Sequence, residues 1–522
     1  MWATHYDVLI VGAGVAGSAL AHALSTLPRA KPLRIALLER SLAEPDRIVG
    51  ELLQPGGVLA LKELGLESCL ENIDAVNVKG YCVVMGDKTV HVPYPGASEG
   101  RSFHHGRFVM KLRDAARQSV GVDLIEANVT EMIRCDFDNK ITGVRAIRKD
   151  GVTTGEDADM ETFLADLVVV ADGCFSNFRT SVMGATAGKV STRSHFVGVV
   201  LEDAPLPLQE HGTVVLVKGS GPVLLYQISK HDTRMLVDVK KPVPSDLKSH
   251  ILTKIAPQLP LPIRCSVHTA VANDRLRRMP NSFLPAVQQG GSLSTAGVVM
   301  LGDSWNMRHP LTGGGMTVTL TDVVILRSLL GSLPDYKDWD LTRRLLRKWH
   351  WRRKSVASTV NILSFALYDL LGGEDEHLAA LRTGCIKYLE RGGECVSGPA
   401  SLLSGIVPSP ILLARHFFAV AFYSIWVLFT HPRPVPGLDG KPRYVTPSID
   451  EYPILFRKSI KIIHTACLVF LPLVWSEIRW WAPSRPATPK PKGEPFAMPL
   501  TMQVYAVWFL APMLMWTFYI FY

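Results

Sequence analysis

The first apolar run, YDVLIV over residues 6–11, ends in a glycine-rich loop and predicts a buried strand. The loop GAGVAG leads into an apolar helix over Ser18 to Leu27, and RIALLE (34–39) predicts a second buried strand. Strand, loop, helix and strand in this order make one unit of a parallel sheet. Pro and Gly turns break residues 76–101 into short strands, and HHGRFVMKLRDAARQ (104–118) reads as an amphipathic helix. A polar stretch from Lys149 to Glu161 resembles a hairpin tip. LADLVVVADG (164–173) and VVMLGD (298–303) are further buried strands that each run into a loop, and Thr317 to Leu330 predicts a helix. Between 191 and 290 the segments HFVGVVLE, GTVVLVKG, PVLLYQIS and TRMLVDV alternate. That pattern is expected of an antiparallel sheet with one wet face. There are no internal repeats. The expected organisation is one discontinuous domain (1–75, 102–190 and 295–340), a sheet domain (76–101 and 191–294) and a helical region (341–522).

After Asp340 the pattern turns helical. Three apolar segments, Ile411–Phe429, Ile460–Trp481 and Thr501–Tyr522, are separated by Pro-rich polar stretches over 432–453 and 482–499. The last carries no formal charge. At about 1.5 Å per residue it is long enough for a hydrocarbon core of about 30 Å. The other two contain Arg415, or Lys461 and Glu477, and suit the interface or a tilted path. The reading is therefore a membrane anchor at the C-terminal end. The N-terminus shows no basic flank and apolar core of a signal peptide.

Composition changes this picture little. The chain has 522 residues, enough for two or three domains, with 47% hydrophobic and 20% charged side chains. A formal net charge of +9 is spread among acids except in TRRLLRKWHWRRK, which places seven Lys/Arg between Arg343 and Lys354. That excess suits an anionic membrane face or an acidic protein rather than nucleic acid. The eight cysteines have no CxxC spacing or Cys/His metal pattern, so neither zinc nor a disulfide framework is expected. His104, His105 and His309 read as structural hydrogen-bonding residues, with no metal.

Chemistry is carried by three loops. Gly12, Gly14 and Gly17 form GxGxxG between strand and helix, where the first permits the turn and the second lets backbone approach a pyrophosphate. The third packs helix on strand, and the helix N-terminus faces the phosphate charge. Glu39 ends the second strand, where a carboxylate can accept from ribose hydroxyls. VVVADG delivers Asp172 and Gly173 to a loop; VVMLGD delivers Gly302 and Asp303, followed by SWNMRHPLTGGG with Gly313, Gly314 and Gly315 at a helix start. Backbone N–H groups and a helix dipole presented in this way suit an anionic flavin or pyrophosphate.

These loops resemble those of the aromatic-hydroxylase-type flavoprotein monooxygenases. The stretches EPDRIVGELLQPGG (44–57), GRSFHHGRF (100–108), ADGCFSNFR (171–179) and GDSWNMRHPLTGGGMTV (302–318) resemble the squalene monooxygenase (squalene epoxidase) family in particular. HFVGVVL, LPAVQQGG, GGECVSGP and RHFFAVAFYS extend the likeness to about residue 425. The resemblance implies an α/β (α+β) chain: a Rossmann-like FAD-binding domain, an antiparallel-sheet substrate domain and a C-terminal helical membrane-associated region. It places the adenosine side of FAD against Val15, Ala16, Glu39, Arg40, Arg47, Arg113 and Val129, and the flavin end against Asp303 and Met316. Tyr81 falls near substrate, held by Gln54, and Leu402, Leu403, Phe417 and Phe418 are expected pocket walls.

The implied reaction is epoxidation of squalene to (3S)-2,3-oxidosqualene with O2, in sterol biosynthesis. Electrons are expected from NADPH through a separate cytochrome reductase, since no second GxGxxG or NADPH domain is visible. The implied location is the endoplasmic reticulum membrane, facing the cytosol, and lipid droplets. Squalene has no polar group, so its pocket should be apolar and dry. Two other readings are a flavin hydroxylase for an aromatic or polyketide substrate and a lipid carrier on the same fold. The three apolar segments argue against the first, and the intact GD loop against the second.

Overall fold

The computed structural model describes residues 4–149, 160–184, 188–273, 276–291, 294–373, 375–436 and 442–478. The apolar segment 501–522, the Pro-rich stretch 482–499 and most of the expected hairpin tip lie outside them.

Along the chain, β1 (Thr4–Val11), α1 (Val15–Ser25) and β2 (Ile35–Glu39) open the fold. β3 (Leu52–Leu53) and α2 (Pro55–Glu63) precede four short strands: β4 (Val76–Val78), β5 (Gly80–Met85), β6 (Lys88–Pro93) and β7 (Gly100–Ser102). Next come α3 (His105–Arg117), β8 (Val122–Arg134), β9 (Ile141–Arg148), β10 (Met160–Val170) and α4 (Arg179–Met183). The central part comprises β11 (Ser191–Glu202), β12 (Gly212–Leu216), β13 (Val223–Gln227), β14 (Asp232–Lys240), α5 (Leu247–His250), α6 (Arg264–Asn273) and β15 (Arg277–Phe283). β16 (Val298–Met300) and α7 (Gly315–Leu330) lead into α8 (Trp339–Arg352), α9 (Lys354–Gly372), α10 (Glu376–Glu390), α11 (Glu394–Ser404), α12 (Pro410–Thr430) and α13 (Tyr452–Ile478).

The first sheet runs β8, β2, β1, β10, β16 in parallel. β9 is a hairpin strand, antiparallel to the far halves of β8 and β10. Leu9, Ile10, Leu37, Val168 and Val169 are fully buried, because α1 and α7 cover the sheet. The parallel register brings the C-terminal ends of β1, β10 and β16 together: Ala171 N donates to Val11 O at 2.8 Å and Leu301 N to Val170 O at 2.9 Å. All three chemistry-bearing loops therefore leave one sheet edge, where ligands of open α/β sheets bind.

The second sheet has the order β15-β11-β14-β13-β12-β5-β6, antiparallel except for the β12·β5 pair. Sequence alternation predicts one wet face; the structure buries both. Val197, Val199, Leu225, Met235 and Val237 point to one side, under Ile251, Ile255, Leu259, Val267 and Val271. Phe196, Leu224, Tyr226 and Leu236 point to the other. The cover on the first side is helical chain over 247–273, inside a stretch the sequence pattern reads as mostly strand.

Three described helices are long and apolar enough to cross a membrane. Of the most apolar 18 residues of Lys354–Gly372, 83% are buried inside the fold, so this is a core helix, whereas only 33% are buried in the corresponding stretch of Ile449–Ile478. Ile411 and Trp426, together with Ile454, Phe456 and Ile460, stay exposed. An outward apolar surface of this kind marks an interaction site with lipid or protein.

Candidate active site

A cavity of about 590 Å3 opens where the three loops meet. Gly12, Gly14, Val15, Ala16, Glu39, Arg40, Arg47, Arg113, Val129, Asp172, Gly173, Asp303, Gly313, Gly315 and Met316 line it, with Tyr81 on the far side. Gly17, Gly314 and Gln54 stand behind the wall. The first glycine loop divides its labour by position. Gly12 sits at φ +103°, and a side chain there would meet Ala171 O at 2.6 Å. A methyl on Gly17 would stand 1.9 Å from Gly12 O, so helix and strand pack only through glycine. A methyl on Gly14 would meet nothing within 4 Å. That open position at the head of α1, whose first turn carries no acid, is a cradle for an anion.

Glu39 accepts from Ala13 N at 2.8 Å, which ties the end of β2 to this loop. Arg113 is buried, donates to Ala13 O at 2.8 Å and Ala43 O at 3.1 Å, and lies 3.6 Å from the Glu39 carboxylate. Burial lowers the pKa of its guanidinium. Asp172 accepts from Asn177 N at 3.2 Å, yet its Oδ1 is buried without a protein partner. Burial also raises the Asp172 carboxyl above its usual range. An orphaned buried oxygen on the cavity wall and an open glycine cradle fit a dinucleotide with a ribose and pyrophosphate.

Two further arginines shape the site, and sequence reasoning assigned neither. Arg179 donates to Ser304 O at 2.7 Å, Cys174 O at 3.1 Å and Asp303 O at 3.3 Å, knitting the two acid-bearing loops together. Its signal was its place at the end of ADGCFSNFR. Arg308 lines the cavity and donates to Gly315 O at 3.2 Å, at the start of α7. Glu51 is a third omission. It is 1% exposed and takes two bonds of 2.8 Å from Arg234, plus one of 3.1 Å from the Tyr226 hydroxyl.

Beyond Tyr81 lies a second, apolar cavity of about 130 Å3. Tyr81, Val214 and Leu311 border both spaces, so the two lie on either side of one shared wall. Leu402, Leu403 and Phe417 line the second cavity with Leu363, Leu367 and Val420. Phe418 does not. It lies about 100° further round α12, packs against Phe470 with ring centroids 5.6 Å apart, and is sealed at 3% exposure.

Tyr81 is held tightly. Gln54 Nε2 donates to the Tyr81 oxygen and, at 2.7 Å, to Thr312 O, while the Tyr81 hydroxyl donates to Thr312 O at 3.1 Å. The Tyr94 hydroxyl donates to Gln54 Oε1 at 2.5 Å. Burial pushes the Tyr81 pKa up to about 12, so the hydroxyl stays protonated as a donor.

Among the described residues no group of three metal-ligating side chains occurs. His105 Nδ1 bonds Gly50 O at 2.8 Å, and His104 Nε2 pairs with Asp232 at 3.1 Å. His309 Nδ1 accepts from Leu311 N at 3.2 Å, so its proton lies on Nε2, toward Ser194 and Asp238. The basic helix α8 is not a uniform charged face either. Arg353 is fully buried on Asp322 and Lys354 pairs with Glu477, which leaves Arg344, Arg347, Lys348 and Arg352 exposed.

A parallel sheet with a glycine loop at one edge, an acid-bearing loop at each of two neighbouring strands and a second sheet over the cavity defines the fold of the FAD-dependent monooxygenases. Solved structures share it. PqsL of Pseudomonas aeruginosa, a probable FAD-dependent monooxygenase, matches 70% of this chain and 97% of its own, at a TM-score of 0.58 and 19% identity. The p-nitrophenol 4-monooxygenase PnpA of Pseudomonas putida DLL-E4 matches 78% of this chain and 100% of its own, with a TM-score of 0.61 and 15% identity.

Sequence comparison is more specific. The squalene epoxidase family model (SE) matches residues 164–438. Squalene epoxidase erg1 of Aspergillus fumigatus is 44% identical over 490 residues, covering 91% of this chain and 94% of its own length. Squalene monooxygenase of Mus musculus is 42% identical, covering 91% and 79%. The chain belongs to the squalene epoxidase family.

Proposed function

We propose that this protein is an FAD-dependent monooxygenase that epoxidises squalene to 2,3-oxidosqualene, taking electrons from NADPH through a separate cytochrome reductase. One observation carries the reading: a dinucleotide-sized cavity with an anion cradle shares a wall, at Tyr81, with an apolar cavity that offers an uncharged hydrocarbon little but packing surface. Reduced FAD, when bound, supplies the oxygen activation that no side chain can.

The chain's own residues do the rest. Gly14 and the head of α1 receive the pyrophosphate, Glu39 the ribose, and Arg40, Arg47, Arg113 and Val129 flank the adenosine side. Asp303, Met316 and the 313–315 turn receive the flavin end. Tyr81 and Gln54 fix the boundary between the two spaces, so the alkene is presented from the apolar side while water is excluded. Val214, Leu311, Leu402, Leu403 and Phe417 bind the hydrocarbon by buried area. The outward apolar residues of α12 and α13 seat the enzyme on the endoplasmic reticulum membrane, with the catalytic part in the cytosol, and on lipid droplets. From there squalene enters sideways from lipid.

The test is incubation of the purified full chain with squalene, FAD, NADPH and reductase, with product identified by mass spectrometry. Expected is 2,3-oxidosqualene, dependent on reductase. Rapid flavin reduction by NADPH alone, with no epoxide, would instead indicate a self-reducing hydroxylase.

A further inference from the structure

Helix α13 turns Phe456, Ile460 and Trp475 outward, yet its last turn directs a carboxylate inward. Glu477, only 4% exposed, accepts from Lys354 Nζ at 2.9 Å, Ser358 Oγ at 2.8 Å and Asn361 Nδ2 at 2.9 Å. A buried carboxylate is tolerated only when its lone pairs are matched in this way. Asn361 passes the constraint on. Because its Nδ2 gives to Glu477, its Oδ1 is free to accept from Arg308 Nε, at 2.7 Å. Arg308 in turn donates from Nη1 to Gly315 O at 3.2 Å and from Nη2 to Asn306 O and Oδ1, both at 2.9 Å. These bonds use four of the five guanidinium hydrogens. The remaining one is on Nη1, on a side chain that lines the cofactor cavity.

We propose that Glu477 is a positioning residue of the cofactor site: through Asn361 it orients Arg308, and through Arg308 the turn at Gly315 and one N–H donor for the flavin end of FAD. The inference rests on the FAD reading above. It makes cofactor affinity depend on how the most outward-lying apolar helix is seated, since α13 carries the carboxylate that starts the chain of bonds. Ordinary packing of α13 against α9 needs no carboxylate here; three donors converging on one do.

The experiment uses the full chain in lipid nanodiscs. Glu477→Gln sets amide hydrogens against three donors and removes the charge. Expected is an FAD dissociation constant raised about tenfold, a shifted visible spectrum of the bound flavin, and a KM for squalene within about twofold of the parent. Lys458→Met, also on α13, removes an exposed ion pair to Glu376 of α10 and leaves FAD affinity unchanged. A folded Glu477→Gln protein, with the parent's unfolding temperature, affinity and spectrum, overturns the inference. If that variant does not fold, Asn361→Ser carries the same two outcomes with the Lys354 and Ser358 contacts intact. If neither folds, the network is structural and the inference fails. Parent protein that binds no FAD would overturn the proposed function itself.

Discussion

Replacing Tyr81 by Phe removes one oxygen and keeps the ring, so it isolates the polar part of the boundary between the two cavities. Gln54 is fully buried and fully used: its two N–H groups go to the Tyr81 oxygen and Thr312 O, and its own oxygen takes the Tyr94 hydroxyl. In Tyr81→Phe one Gln54 N–H loses its acceptor. A buried orphan donor costs about 1–3 kcal/mol, which is roughly 5- to 150-fold in an equilibrium. The apolar area facing squalene is unchanged, so the expected loss falls on kcat/KM through poorer placement of the alkene, with FAD affinity within about twofold. Gln54→Leu is expected to cost as much, because it orphans the Tyr94 hydroxyl. The double variant should cost less than the two singles summed, by about 1 kcal/mol or more, because the residues share a bond. The assay is kcat/KM for epoxide formation in nanodiscs, across all four members of the cycle. Additive effects, or a Tyr81→Phe enzyme within twofold of the parent, would refute the reasoning.

Other outcomes follow from the same structure. Gly17→Ala should abolish FAD retention and destabilise the apoprotein, whereas Gly14→Ser should leave the unfolding temperature unchanged and weaken FAD alone; calorimetry and fluorescence titration separate them. Glu51→Ala leaves Arg234 buried and unpaired, an expected loss of about 3–5 kcal/mol in chemical denaturation, and Glu51→Leu with Arg234→Met should recover most of it. Burial lowers the His105 pKa to about 4 and that of His350 to about 3. Both rings are neutral when folded and take protons on unfolding. Their stability is therefore present above about pH 6.5 and lost as pH falls from there, down to about 4 for His105 and about 3 for His350, on the order of 1.4 kcal/mol per pH unit for each. His350→Leu should flatten that slope in thermal melts. Phe456→Asp with Ile460→Asp should reduce flotation with liposomes while leaving the melting temperature unchanged.

The parts legible in sequence are those fixed by local pattern. YDVLIV and VVVADG are short apolar runs that end in glycine-bearing loops, the pattern of strands buried on both faces, and Gly17 is needed for a contact with Gly12 five residues away. What escaped the sequence depends on partners distant in the chain. Glu51 reads as an ordinary polar residue in a loop until β14 places Arg234 against it, 183 positions later. Glu477 counts against burial in an apolar segment until three donors from α9 surround it. The wet face predicted for the second sheet failed for a related reason: alternation reports which residues share a face, not whether something lies on it. Phe418 is one helical step from Phe417, and although Phe470 packs on both rings only Phe417 also lines the cavity.

The burial of both faces explains how a polar cofactor and an apolar substrate can share one wall. Period-two alternation sends Val197, Leu225 and Val237 into the helical cover and Phe196, Leu224 and Leu236 toward the cavities, so the sheet separates a structural core from a binding surface one strand thick. Along that surface the polar groups collect at the dinucleotide end, with Glu51, Tyr226 and Arg234 satisfied among themselves. At the crossover stands Tyr81, in the one parallel pair of the sheet, opposite Gly212. A side chain on Gly212 would come within 3.1 Å of the Tyr81 ring. Glycine there leaves the ring room to lie between the cavities while its hydroxyl turns back to Gln54 and Thr312. The boundary thus turns carbon toward both cavities and its oxygen back to Gln54 and Thr312.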